Sequence, residues 1–121
     1  INGGHQRNCA LDAIMDGWVY FLDDDTIIHP DLFSELAKVA APAVAFEQDL
    51  ETWIRKVAPS EMRVCHIDMG QVVIRRELIG NTRFDIEQHI EDGLFIESIY
   101  ENNPNAWSFI NKPLCYYNKL R

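Results

Sequence analysis

Trp18-Val19-Tyr20-Phe21-Leu22-Asp23-Asp24-Asp25 is the stretch on which the fold turns, because five apolar residues in succession end in three carboxylates. A run without polar alternation predicts a strand buried on both faces, as in a parallel sheet covered by helices. The acidic triplet then falls at the strand's carboxyl end, where open α/β sheets bind their ligands. Carboxylates this close repel and raise one another's pKa, and a hard divalent cation held through oxygen removes that penalty. Side chains of an extended chain alternate, so Asp23 and Asp25 would share one direction while Asp24 faces another. A solvated acidic turn leading into the next helix is the plain alternative. An EF-hand does not fit: counted from Asp23, its glycine falls on Ile28 and its glutamate on Ser34.

Reading outward, Asn2-Gly3-Gly4 is a loop leading into a helix over 6–16, with Ala10, Leu11, Ile14 and Met15 at helical spacing and Asp16-Gly17 as its stop. Pro30 opens a second helix reaching about Val39, whose stripe is Leu32, Phe33, Leu36 and Val39, and Pro42 ends that element. Strands are expected over 43–46 and 69–74, with a surface excursion over 49–62 that turns helical around Trp53 to Val57. Residues 75–79 read as a helical turn closed by Gly80, and residues 92–100 as a helix ended by Asn102-Asn103-Pro104. Residues 107–117 form one or two strands. The pattern is a single α/β domain over 1–121, without internal repeats or low-complexity tracts.

Of the 121 residues, 47% are apolar, enough for a packed core. The net charge of −8, from 19 acidic and 11 basic residues, argues against nucleic acid as a partner. An anionic ligand would need a metal or a local cluster of cations. No apolar stretch approaches the roughly 20 residues of a membrane span, and polar Asn-Gly-Gly follows Ile1 where a signal peptide would have its core. The expected location is cytoplasmic or peripheral to a membrane, and the missing initiator Met suggests an excised or processed piece. Cys9, Cys65 and Cys115 are odd in number and widely spaced, which suggests neither a disulfide framework nor structural zinc; buried free thiols are expected.

Three ordered segments resemble one family. Gly17 to Asp25 followed by Pro30-Asp31-Leu32-Phe33 is similar to the metal-binding D-x-D segment of GT-A-fold glycosyltransferases, particularly the inverting family 2. Upstream, Gln6-Arg7-Asn8-Cys9-Ala10-Leu11 resembles that family's R-N-x-(A/G)-(L/I) helix and the Q-R-N-x-A-L segment of glucuronyltransferases. Downstream, Arg83-Phe84-Asp85 and Ile90-Glu91-Asp92-Gly93-Leu94-Phe95 resemble its R-F-D and E-D-x-x-(L/F) region. His66-Ile67-Asp68-Met69-Gly70 resembles the I-D-M-x-G/A stretch of glucuronyltransferases.

The resemblance implies a GT-A-like (Rossmann-like) fold, a mixed sheet flanked by helices, and a metal-dependent inverting transfer from a nucleotide-diphosphate sugar, a UDP-sugar, to a glycan or other acceptor hydroxyl. It implies Mn²⁺ or Mg²⁺ on Asp25, Asp23 and Asp24, with Asp23 also near the ribose. Arg7 and Asn8 would meet the diphosphate or nucleotide, and Asp68 and Gly70 the donor sugar. Asp92 is the implied general base, with Glu91 its rival, and the start of a helix suits a carboxylate. The family's third metal ligand, a His near the chain end, has no match here. Lys119 or Arg121 would neutralise phosphate instead. Family members also carry an N-terminal strand and two further strand-helix units, so the chain resembles a C-terminal portion of the domain. That puts the activity of this stretch alone in question. A nucleotidyltransferase of related α/β fold is one rival, although no Gly-rich basic loop is visible. A non-catalytic sugar-binding or assembly module is the other.

Overall fold

The computed structural model describes residues 3–87 and 91–117, with Glu91 through its backbone alone. Lys119 and Arg121, and the Glu91 side chain, lie outside what is described. The chain runs α1 (Gly4–Ala13), β1 (Trp18–Val19), β2 (Ile27–Ile28), α2 (Leu32–Leu36), β3 (Ala43–Asp49) and β4 (Ile54–Arg55). It continues through β5 (Val72–Arg75), α3 (Arg76–Ile79), α4 (Glu91–Asn102) and β6 (Trp107–Tyr116), with 3-10 turns at Pro59–Glu61 and Met69–Gln71. One six-stranded sheet has the order β1-β5-β3-β6-β2, with β4 added to β3. β3 and β6 are parallel while every other pairing is antiparallel, so the sheet is mixed, as expected.

Strand alternation sorts the core into two layers. Ala43 and Ala45 of β3, Val72 and Ile74 of β5, and Val19 of β1 share a face with Leu11, Phe95, Ile96 and Ile99. Val44, Phe46 and Val73 point the other way, onto Leu32, Leu114 and Cys115, with Trp18, Tyr20 and Leu36 packed around them. α4 therefore buries a stripe at positions 95, 96 and 99, the spacing of one helical face. It also lies very close to the 64–65 segment: a Cβ on Gly93 would sit 2.8 Å from Val64 Cα.

The decisive run folds differently from the expectation. Only Trp18 and Val19 are in the ladder, and β1 pairs antiparallel with β5 at the end of the sheet, not inside a parallel one. The following apolar residues find cover elsewhere. Tyr20 donates its hydroxyl to Gly70 O at 2.7 Å, and Phe21 stands edge-on to Phe84 with ring centroids 5.5 Å apart. Nor does the extended form persist through the aspartates, because Thr26 N–H donates to Asp23 O at 3.1 Å and closes a turn over Asp24 and Asp25.

Other boundaries shift for local reasons. α1 stops at Ala13, with Ile14 already extended. Residues 54–55 extend the sheet by pairing with Gln48 and Asp49 instead of turning helical. Residues 69–71 are a 3-10 turn because Asp68 and Gln71 form a capping box there. β6 is one strand, and its Pro113, which lacks a ladder N–H, is accommodated by register shifts beside Glu47. Of the thiols, Cys115 is buried as expected, whereas Cys9 and Cys65 are exposed; all three are free. Among the described residues no helix is long and apolar enough to cross a membrane.

Candidate active site between the Asp23 turn and the start of helix α4

Arg7 joins the parts of this site. From α1 its guanidinium donates to Asp23 Oδ1 at 2.9 Å and, through its other terminal nitrogen, to Asp92 Oδ1 on the first turn of α4. Its side chain is 16% exposed, against 50% for Asp23 and 33% for Asp92, so the cation is sunk beneath the two carboxylates. Aromatic rings hold it there: the guanidinium carbon is 5.8 Å from the Phe21 ring centre and 5.3 Å from that of Phe84. Phe84 in turn stacks on Phe95 of α4 at 3.9 Å. Residues 7, 21, 23, 84, 92 and 95 are thus locked into one constellation although they are far apart in the chain.

Negative charge is in excess around Arg7. Burial pushes the Asp23 carboxyl above the usual carboxylate range; Arg7 opposes this, while Asp68, Asp92 and Asp25 add to it by repulsion. Asp23 therefore senses three other carboxylates across one patch. Among the described residues, no three His, Cys, Asp or Glu side chains are arranged to hold a metal ion. The donor chemistry nevertheless suits a hard cation, since Mg²⁺ is commonly bound by one or two carboxylates and completed by substrate phosphate and water. Asp25 and Asp23 are the residues available for that, with Asp24 on the exposed turn beside them.

Asp68 anchors the adjoining wall. Its Oδ2 accepts from Gly70 N and from Gln48 Nε2, both at 2.9 Å. Gln48 and Gln71 are fully buried; Gln71 ties the wall together by accepting from Asp68 N and donating to Phe46 O. Space at Gly70 is tight, as a Cβ there would approach Asp68 Oδ2 to 3.0 Å and Gln48 Nε2 to 3.1 Å. Gly70 thus shapes the wall with its backbone: its N–H serves Asp68 and its carbonyl serves Tyr20.

Asn8 ties two segments of backbone together. Its amide donates to Phe84 O at 2.9 Å and accepts from Phe84 N at 2.8 Å, a two-point clamp between α1 and the loop that carries Phe84. An amide engaged at both ends with backbone is a structural fastener. Arg83, next to it, is spent on Asp12 at 2.9 Å and on the carbonyls of Gly80 and Thr82. Sequence reasoning missed Phe21 and Phe84 as the seat of Arg7, and Gln48 as the partner of Asp68. The one available signal for Gln48 was a polar pair, Glu47-Gln48, continuing an apolar strand.

Helices cover both faces of the mixed sheet, an arrangement shared with a solved glycosyltransferase structure. That structure, one of several that match, is S. aureus TarS 1-349, a glycosyltransferase, with a TM-score of 0.71 and 19% identity over 94% of this chain. The alignment covers 39% of that chain, so this sequence spans well under half its length. At that identity the likeness concerns the fold alone. No family model and no curated protein matches the sequence.

Proposed function

We propose that the chain carries the catalytic part of an inverting glycosyltransferase that moves a sugar from a nucleotide-diphosphate donor, a UDP-sugar, to an acceptor hydroxyl. The carrying observation is the Arg7 bridge, which brings the Asp23 turn and the α4 carboxylate Asp92 to one guanidinium. An acid-lined patch with a buried cation beneath it suits a reaction in which a diphosphate is held on one side and a hydroxyl is deprotonated on the other.

In this reading Asp92 is the base. Arg7 engages its Oδ1, so Oδ2 accepts the proton as the acceptor oxygen bonds to the anomeric carbon. The bond from that carbon to the diphosphate oxygen breaks on the opposite face, its electron pair leaving with the nucleoside diphosphate, and configuration inverts. Asp25 and Asp23 would hold Mn²⁺ or Mg²⁺, which when bound supplies Lewis-acid stabilisation of the departing charge. Arg7 orients both carboxylates and lies within reach of phosphate oxygens that approach Asp23. Asp68, fixed by Gln48 and Gly70, presents an acceptor for hydroxyls of the donor sugar.

Turnover of the full-length protein, read as nucleoside diphosphate released, tests the assignment. Asp92→Asn is expected to lower kcat by at least about 10²-fold, the usual worth of a positioned base, with an unchanged melting temperature. Asp25→Ala is expected to abolish metal-stimulated turnover. Full activity in Asp92→Asn with loss in Glu91→Gln would move the base to Glu91, and release of pyrophosphate would replace glycosyl transfer by nucleotidyl transfer.

A further inference from the structure

A second cleft lies behind Asp68, with a volume of about 300 Å³, lined by Trp53, Arg55, Lys56, Glu61, Cys65 and His66. That is the lower end of ligand-pocket sizes, roughly 300–1,000 Å³, and has room for one substituted sugar residue. Trp53 leaves 53% of its area in water, unusual for the residue with most to gain from burial. Arg55 stands 5.2 Å from the Trp53 ring centre and 6.0 Å from that of Tyr117, and its Nε donates to Gln48 Oε1 at 3.2 Å.

That arrangement fixes the guanidinium plane while its terminal edge remains for a ligand. Among the described residues no carboxylate pairs with Arg55, whereas Lys56 meets Glu47 at 3.7 Å and His66 meets Glu61 at 2.9 Å. In a chain of net charge −8, a pre-oriented arginine with no acid beside it among the described residues attracts an anion. The wall opposite is also constrained: Cys65 holds a left-handed backbone, φ 71°, a conformation that costs free energy in a non-glycine residue. The cleft is wired to the candidate site, because Gln48 takes Arg55 on its oxygen and gives its amide to Asp68.

We infer that this cleft is a saccharide subsite for an acidic sugar residue of the acceptor, the ring stacking on Trp53 and its carboxylate or phosphate ester meeting the fork of Arg55. The inference rests on the glycosyl-transfer reading for the word acceptor, but the binding it asserts does not need turnover.

Cys65 supplies the readout, since it lines the cleft and is exposed. In a Cys9→Ser background, alkylation of Cys65 by iodoacetamide is followed with tetragalacturonate, with mannose 6-phosphate and with neutral maltotetraose. At ten times its Kd an occupying ligand slows the reaction about tenfold by mass action. Slowing by tetragalacturonate assigns a uronate, and slowing by mannose 6-phosphate assigns a phosphate ester. Either supports the inference if maltotetraose is without effect and Trp53→Ala or Arg55→Lys removes the protection. Equal slowing by maltotetraose, or none by any probe, overturns it. Protection that persists in an Asp92→Asn protein isolates the subsite from the catalytic assignment. Protection in a wild-type protein without turnover would sink the latter and keep the former.

Discussion

Asp23 is held at a cost. Its carboxyl is pushed above the usual range, foremost by burial and then by three neighbouring acids, so the folded state binds its proton more tightly than the unfolded chain. The stabilising form is the protonated one. Its contribution is complete below the ordinary aspartate pKa and is lost as pH rises through the elevated folded value. Asp23→Asn, which keeps an oxygen for Arg7 and removes the charge, is therefore expected to raise the melting temperature at pH 7 while lowering turnover. The gain is under about 1 kcal/mol, because the half-exposed side chain is screened by water. Thermal melts of both proteins at pH 4 and pH 7 check this: the difference should grow with pH, and a variant less stable at pH 7 would contradict it.

The thiols give a second test. Burial foremost pushes Cys115 up to about 12, and Tyr20 moves in the same direction for the same first cause. Both groups favour the neutral form when folded, so the stability they contribute is present below pH 9 and declines as pH rises toward 12. Native protein at pH 8 should show two thiols reactive to a disulfide reagent, Cys9 and Cys65, and three after denaturation. Asp23, Asp92 and Arg7 stand in separate short motifs of the sequence, and the structure brings them to one patch. Arg7's aromatic seat was not legible in the sequence, since Phe21 and Phe84 are 63 positions apart and nothing in either neighbourhood marks the other.

Helix α4 shows how an element carries a functional group by close packing. Gly93 lets its first turn rest on the Val64 backbone, and a Cβ would meet Val64 Cα at 2.8 Å. Gly93→Ala gains about 1 kcal/mol of helix propensity. The forced separation from rigid backbone falls at the upper end of about 1–3 kcal/mol, and the net effect is loss. Because Asp92 precedes this glycine, the variant should also lose turnover out of proportion to its stability, measured as kcat at a temperature where both proteins are folded. The helix itself was legible in its apolar spacing, and its N-terminus in Glu91-Asp92. Strand boundaries were not. The Trp18 run has the composition of a buried central strand, but tertiary partners at Gly70 and Phe84 took over after two ladder positions. The 54–55 strand was hidden because its pairing with Gln48 and Asp49 depends on a tight turn at Glu51, held with φ 77° and by a 2.7 Å bond from its N–H to Asp49 Oδ1.

For the molecule as a whole, the alternation of helices and strands was sufficient to expect an α/β domain, and the mixed sheet followed from the family resemblance, whereas strand order lies in long-range pairings that no local pattern encodes. That order leaves β1 at one end of the sheet, with no strand on its outer edge among the described residues. Beside it an apolar groove of about 340 Å³ is lined by Trp18, Tyr20, Phe33, Leu36, Ala37 and Val73, and Phe33 is 67% exposed. An unpaired edge next to exposed aromatics promotes association. The 121-residue chain alone should sediment as a concentration-dependent mixture, with Phe33→Glu shifting it toward monomer. A wild-type chain that stays monomeric at the highest soluble concentration would count against this.

β3 and β6 are neighbours in the middle of the sheet yet are separated by 57 residues of sequence, and β6 is also the partner on which β2 depends. A nascent chain on the ribosome consequently cannot complete its sheet until residue 116 has cleared the exit tunnel. Until then β3 exposes an apolar flank and β2 has nothing to pair with, a prolonged window in which chaperones would find hydrophobic strand to grip.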